Sequence, residues 1–108
     1  MAVKLTEIPL TSDNPFFAFS IRLTGIQYTF HVRWNDRAGR WFFDLHTGSD
    51  TPLISSVPML IERNLIGRFV QVGLPPGMLF VWDNTQQDSQ PGRNAWGASH
   101  TFYYAEFS

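Results

Sequence analysis

The chain has 108 residues with eight basic and nine acidic side chains, a formal net charge of −1. That size suits one domain with its own core, read here as 1–108, and the balanced charge leaves no basic footprint for nucleic acid and no patch for an anionic membrane. The lack of cysteine excludes disulfides, thiolate nucleophiles and thiolate metal sites, and fits a reducing site of synthesis.

Val3 to Leu10 reads as a short first strand, stopped by the turn residues Thr11 to Pro15. The N-terminus lacks the apolar segment of a signal peptide, and no run approaches the ~18 apolar residues of a membrane helix, so a soluble, non-exported chain is expected.

Phe16 to His46 reads as a three-stranded meander. A two-residue turn at Thr24-Gly25 places Leu23 opposite Ile26, Ile21 opposite Tyr28, Phe19 opposite Phe30 and Phe17 opposite Val32. A second turn, Asn35 to Arg40, is made of residues that tolerate positive φ or bond to nearby backbone. It places Trp34 opposite Trp41, Val32 opposite Phe43 and Phe30 opposite Leu45. The two turns independently point the same face of the middle strand inward, and a one-residue slip would expose that whole face. Trp34 and Trp41 are therefore core residues rather than a sugar-stacking platform.

Thr51 to Ser55 reads as a further strand, and Pro58 confines Ser56 to Leu60 to a sheet edge or to irregular structure. Met59 to Leu65 is the one helix candidate, but it is uncapped and short, so one irregular turn is expected. Arg68 to Gly73 reads as a strand, and Leu74-Pro75-Pro76-Gly77 as a turn. Met78 to Trp82 is an apolar run, read as a strand buried on both sides with Trp82 inward. Asp83 to Gly97 is a polar loop holding Trp96. Ser99 to Phe107 closes the chain as a strand with aromatics on both faces, expected to be covered on both. Seven or eight short strands make an all-β antiparallel sandwich or small barrel.

Chemistry is sparse. His31, Asp44 and His46 share one face and could hold Zn or Fe. No further motif supports that, so a solvated face with a His31–Asp44 cross-strand pair is preferred, and no metal or cofactor is assigned. The aspartates at turns (Asp13, Asp36, Asp50, Asp83 and Asp88) fit local backbone bonding. Gly73 to Gly77 lacks the lysine and helix of a phosphate loop, and Ser55-Ser56 lacks a nucleophile-elbow context. The chain is read as not an enzyme. Trp96 has two open readings: contact with another molecule, or folding back to pin its own loop.

The Thr24-Gly25 hairpin with Tyr28, the run Trp34 to Trp41 (WNDRAGRW), Asp44-Leu45, Thr51-Pro52-Leu53, Leu74 to Phe80 (LPPGMLF) and the aromatic closing strand recur in order. On these residues, from Phe16 to Tyr104, the chain resembles the phage baseplate plug family. The resemblance implies a virion structural protein of a contractile tail. It would be made in the host cytoplasm, lie near the baseplate centre in several copies, and pack with the hub and spike and with the tube or tape-measure protein. It implies no catalytic residue, cofactor, nucleic acid or membrane. Arg37, Arg40, Arg93 and Trp96 are the expected interface residues, with the 83–97 loop and one or both termini as interface segments, partly mobile in the isolated protein. The alternative is a small carbohydrate- or protein-binding module.

Overall fold

A computed structural model describes residues 3–69 and 72–107. Seven strands appear: β1 (Val3–Ile8), β2 (Phe16–Leu23), β3 (Ile26–Asn35), β4 (Arg40–Thr47), β5 (Pro52–Pro58), β6 (Met78–Asp83) and β7 (His100–Phe107). They form a four-stranded sheet in the order β2-β3-β4-β5 and a three-stranded sheet in the order β1-β7-β6. All strand pairs are antiparallel, and there is no helix among the described residues.

The meander has the register its turns impose. Phe17 faces Val32 and Phe19 faces Phe30 across β2 and β3, while Val32 faces Phe43 and Trp34 faces Trp41 across β3 and β4. Thr24 and Gly25 both take positive φ, +52° and +75°, as a tight hairpin requires. Alternation then sends Tyr28, Phe30 and Val32 into the core with Trp41, Phe43 and Leu45. From the opposing sheet, Phe102 meets Phe30 and Phe43 at centroid separations of 5.9 and 5.7 Å. Tyr104 adds a polar tie across the layers, its hydroxyl lying 2.7 Å from Thr24 Oγ1.

β5 extends to Pro58 and lies at the sheet edge, where proline costs no ladder bond. Leu45 pairs with Ile54 and Phe43 with Val57, so β5 carries one extra residue between these pairs, a bulge, and the register shifts again between Leu45 and His46. Ser56 takes up the bulge with φ +56°.

Three expectations need correction. The described part of Arg68 to Gly73 is irregular, not a strand; Val70 and Gln71 lie outside the described residues. Met78 to Trp82 is buried on one side only. Leu79 and Val81 are inside while Trp82 is half exposed, because no further layer among the described residues covers the outer face of this sheet. For the same reason β7 is closed on its inner face alone, and Phe107 is 48% exposed. The helix candidate is irregular, as expected. Ile61 bridges to Val81, and the Leu65 N–H donates to the Leu79 carbonyl at 2.8 Å. That segment caps the outer edge of β6, which would otherwise present unpaired backbone groups.

Candidate functional site

The four expected interface residues separate into two pairs. Arg37 and Arg40 lie on the exposed β3–β4 turn. This turn is held from within: Asn35 Oδ1 accepts from the Ala38 N–H at 3.0 Å, and the Gly39 N–H donates to the Asn35 carbonyl at 2.8 Å. Neither guanidinium is needed for that. Trp96, by contrast, is only 5% exposed. Its ring sits 5.9 Å from that of Trp41, and the backbone N–H of Trp96 donates to Ser12 Oγ at 3.0 Å. Arg93 donates to the Ser12 carbonyl and lies over the Trp41 ring at 5.6 Å. Of the two readings of Trp96, folding back to pin its own loop is the one adopted.

The polar loop is therefore laced to the sandwich. Its carbonyls at Gly92 and Ser89 accept from Trp41 Nε1 at 2.8 Å and pair with His100 Nε2 at 2.7 Å. Gln90 Oε1 accepts from the Ile61 N–H at 2.9 Å. At its start, Asp83 is buried and takes hydrogen bonds from the hydroxyl and N–H of Thr85 and of Ser89, between 2.6 and 3.0 Å. The Thr85 hydroxyl and Ser89 N–H lead in holding its carboxyl well below the usual carboxylate range, against the opposing effect of burial.

A stability consequence follows from the sign of that shift. A carboxyl depressed in the fold favours the folded state above its unfolded pKa, about 3.9. The contribution is lost as pH falls through about 4 toward the lower folded value. Asp83→Asn should be less stable than the parent at pH 7 and should lose less stability between pH 5 and pH 2. Urea melts at several pH values measure this; parallel curves for the two proteins would count against it.

The outer face of the β1-β7-β6 sheet carries several exposed apolar residues. The register sets Val3 beside Phe107, Leu5 beside Ala105 and then Met78, and Tyr103 beside Phe80. Phe80 and Tyr103 stack with centroids 5.5 Å apart. Val3, Leu5 and Trp82 are 54, 56 and 50% exposed. Isolated exposed apolar residues are ordinary, but a contiguous set on one sheet face marks a contact surface.

Beside Trp82 this face runs into a groove of about 580 Å³, floored by Met78 and Phe80 and rimmed by Glu62, Gln86 and Asp88. All three rim residues have positive φ, +61°, +59° and +55°. For non-glycine residues that conformation is strained, and it persists only where the surroundings impose it. The hydrogen bond and negative charge of Asp88 raise the carboxyl of Glu62 above its ordinary value.

The polar face of the four-stranded sheet does not bring His31, Asp44 and His46 together. Asp44 turns to Arg33 Nη1 at 3.0 Å and to the Ser56 N–H at 2.7 Å. Burial opposes its ionisation, yet these bonds outweigh it and its carboxyl is lowered. The bulge on β5 is the cause, since it aims a backbone N–H at Asp44. Asp50, read in the sequence only as a turn residue, takes the vacated role. His31 Nε2 and His46 Nδ1 each lie 2.9 Å from its Oδ1. The His31 bond leads in holding the Asp50 carboxyl low. An aspartate four positions after a strand histidine, across a tight turn, was the signal available.

Together these features define an all-β sandwich with one sheet face left apolar and open. The chain belongs to the phage baseplate plug family: the family model described as cyanophage baseplate Pam3 plug gp18 matches residues 5–107. No curated protein matches the sequence significantly. A family of structural baseplate plugs puts the chain among baseplate proteins and implies association with others of that assembly.

Proposed function

We propose that this protein is a non-enzymatic component of a contractile phage tail, a plug that packs with the central hub and spike through the outer face of the β1-β7-β6 sheet. Family membership supports the setting. The single observation that carries the docking face is the apolar set Val3, Leu5, Phe107, Phe80 and Trp82 on a sheet with no layer above it among the described residues. Burying such a face against a neighbour removes apolar area from water at about 25 cal/mol per Å². Large obligate interfaces in assemblies are built this way. Arg37 and Arg40 form a second, polar contact on the opposite sheet, and their turn keeps its shape without them.

The test is baseplate assembly with purified variants. Leu5→Arg combined with Trp82→Arg should leave the melting temperature within a few degrees, since surface substitutions are worth about 0.5 kcal/mol or less. Incorporation into baseplates should be lost. Arg37→Ala should likewise melt as the parent does and assemble poorly. Normal incorporation of the double variant overturns the docking face. The carbohydrate-binding alternative has lost Trp41 to the core, and Trp34 is partly buried against it. A glycan array should return no hits, and a hit abolished by Trp82→Ala would move the reading to that class.

A further inference from the structure

We infer that His31, His46 and Asp50 form a binding site for one divalent transition-metal ion of the zinc type on the outer face of the four-stranded sheet. The inference stands apart from the baseplate role and rests on three side chains whose donor atoms all lie within 4.8 Å of one another.

Two adjacent strands and one turn set the geometry. His31 on β3 and His46 on β4 are diagonal neighbours, since His31 pairs with Asp44 and His46 with Thr29. Both point to the same face, and their rings approach to 4.4 Å between centroids. Asp50 comes from the β4–β5 turn, which has hydrogen bonds of its own besides those to the imidazoles. The Asp50 N–H donates to the Thr47 carbonyl at 2.9 Å, and the Thr51 N–H to Thr47 Oγ1 at 3.1 Å. Asp50 sits at φ +69°, a conformation that aspartate accepts more readily than most residues.

The donor spacing fits a small ion. Metal–ligand bonds of about 2.0–2.1 Å in tetrahedral array place donor atoms about 3.3 Å apart. Asp50 Oδ1 lies 2.9 Å from each imidazole nitrogen, so each of these two separations has to open by only a few tenths of an ångström. Each imidazole then carries its proton on the other ring nitrogen and offers a lone pair to the ion. Two neutral imidazoles with one carboxylate suit zinc, nickel or cobalt, whereas calcium and magnesium require oxygen ligands throughout.

The charge environment allows it. Asp44, the other carboxylate nearby, is already matched to Arg33 at 3.0 Å, so Asp50 supplies the site's own negative charge. Asp50 is 60% exposed, leaving the outer side open to water as the remaining ligand. Such an ion would tie β3 and β4 to the β4–β5 turn.

The experiment uses the full chain, without an affinity tag, after treatment with a chelator. Zinc titrated by calorimetry should bind at one ion per chain and raise Tm by several degrees. Cobalt should give the visible absorption of a four- or five-coordinate ion. Asp50→Asn, which keeps the turn's backbone, and His46→Ala should each weaken zinc binding at least about tenfold. Glu62→Gln, on the other sheet's groove, should bind as the parent does. Absence of binding to the parent overturns the site. So does binding that both Asp50→Asn and His46→Ala leave unchanged.

Discussion

Trp41→Ala should lower the unfolding free energy by about 4 kcal/mol, within the range for removing a buried large aromatic ring. Trp41 is fully buried at the centre of an aromatic cluster, with ring centroids 5.6 Å from Trp34, 5.9 Å from Trp96 and 6.2 Å from Phe17. It serves the core and the polar loop together. Its ring is the surface on which Trp96 and Arg93 rest, and its Nε1 donates to the Gly92 carbonyl at 2.8 Å. Gly92 is exposed, so water can replace the lost donor, and most of the cost is lost packing. The loop should be freed along with the core, with proteolysis between residues 84 and 92 faster than in the parent. A domain of this size has about 5–15 kcal/mol in all, so the loss is visible in any urea melt. A shift below about 1 kcal/mol would mean that the cluster closes over the gap.

Gly77→Ala should destabilise by at least about 2 kcal/mol, as overpacking of a filled site does. Gly77 precedes β6. A methyl group there would overlap the Ala105 carbonyl oxygen and stand 2.8–2.9 Å from two ring carbons of Tyr104. Neither can retreat. The Ala105 carbonyl belongs to β7, and Tyr104 is fully buried with its hydroxyl bonded to Thr24 Oγ1 at 2.7 Å. That hydroxyl also accepts from the Gly77 N–H at 2.9 Å. Relief requires moving the start of β6 away from β7. Gly39 makes the contrast: a methyl there meets nothing within 4 Å, and the only obstacle is its φ of +68°. Gly39→Asn should therefore be mild where Gly77→Ala is severe. Equal melting of Gly77→Ala and the parent would refute the close approach.

The difference between those two glycines shows what could be read in advance. Gly39 sits in a turn whose residues announce it, and local chemistry suffices. Gly77 in the LPPG turn is equally visible as a turn residue, but the reason it must be glycine lies 28 positions away in Ala105. Trp82 follows the same logic in reverse. An apolar run of five residues reads the same on both faces, and only the missing third layer leaves Trp82 in the open.

The polar face was legible in part. The register put His31 and His46 on one side correctly, because period-two alternation needs no distant information. It named the wrong carboxylate. Which aspartate meets the imidazoles depends on the bulge at Ser56, which claims Asp44, and on the path of the β4–β5 turn, which returns Asp50. A bulge arises from how two strands are fitted against a core, and neither strand contains it alone.

The sequence by itself determined the meander, its register and the inward aromatic face, since two hairpin turns and strict alternation are local rules that agree with each other. Its motifs were also enough to point to the baseplate plug family, which the match over residues 5–107 establishes. Only the tertiary structure decided which surfaces remain free. It folded Trp96 and Arg93 inward, left the β1-β7-β6 sheet uncovered and joined Asp50 to the two histidines. Exposure is a property of what lies opposite, and no residue carries that information about itself.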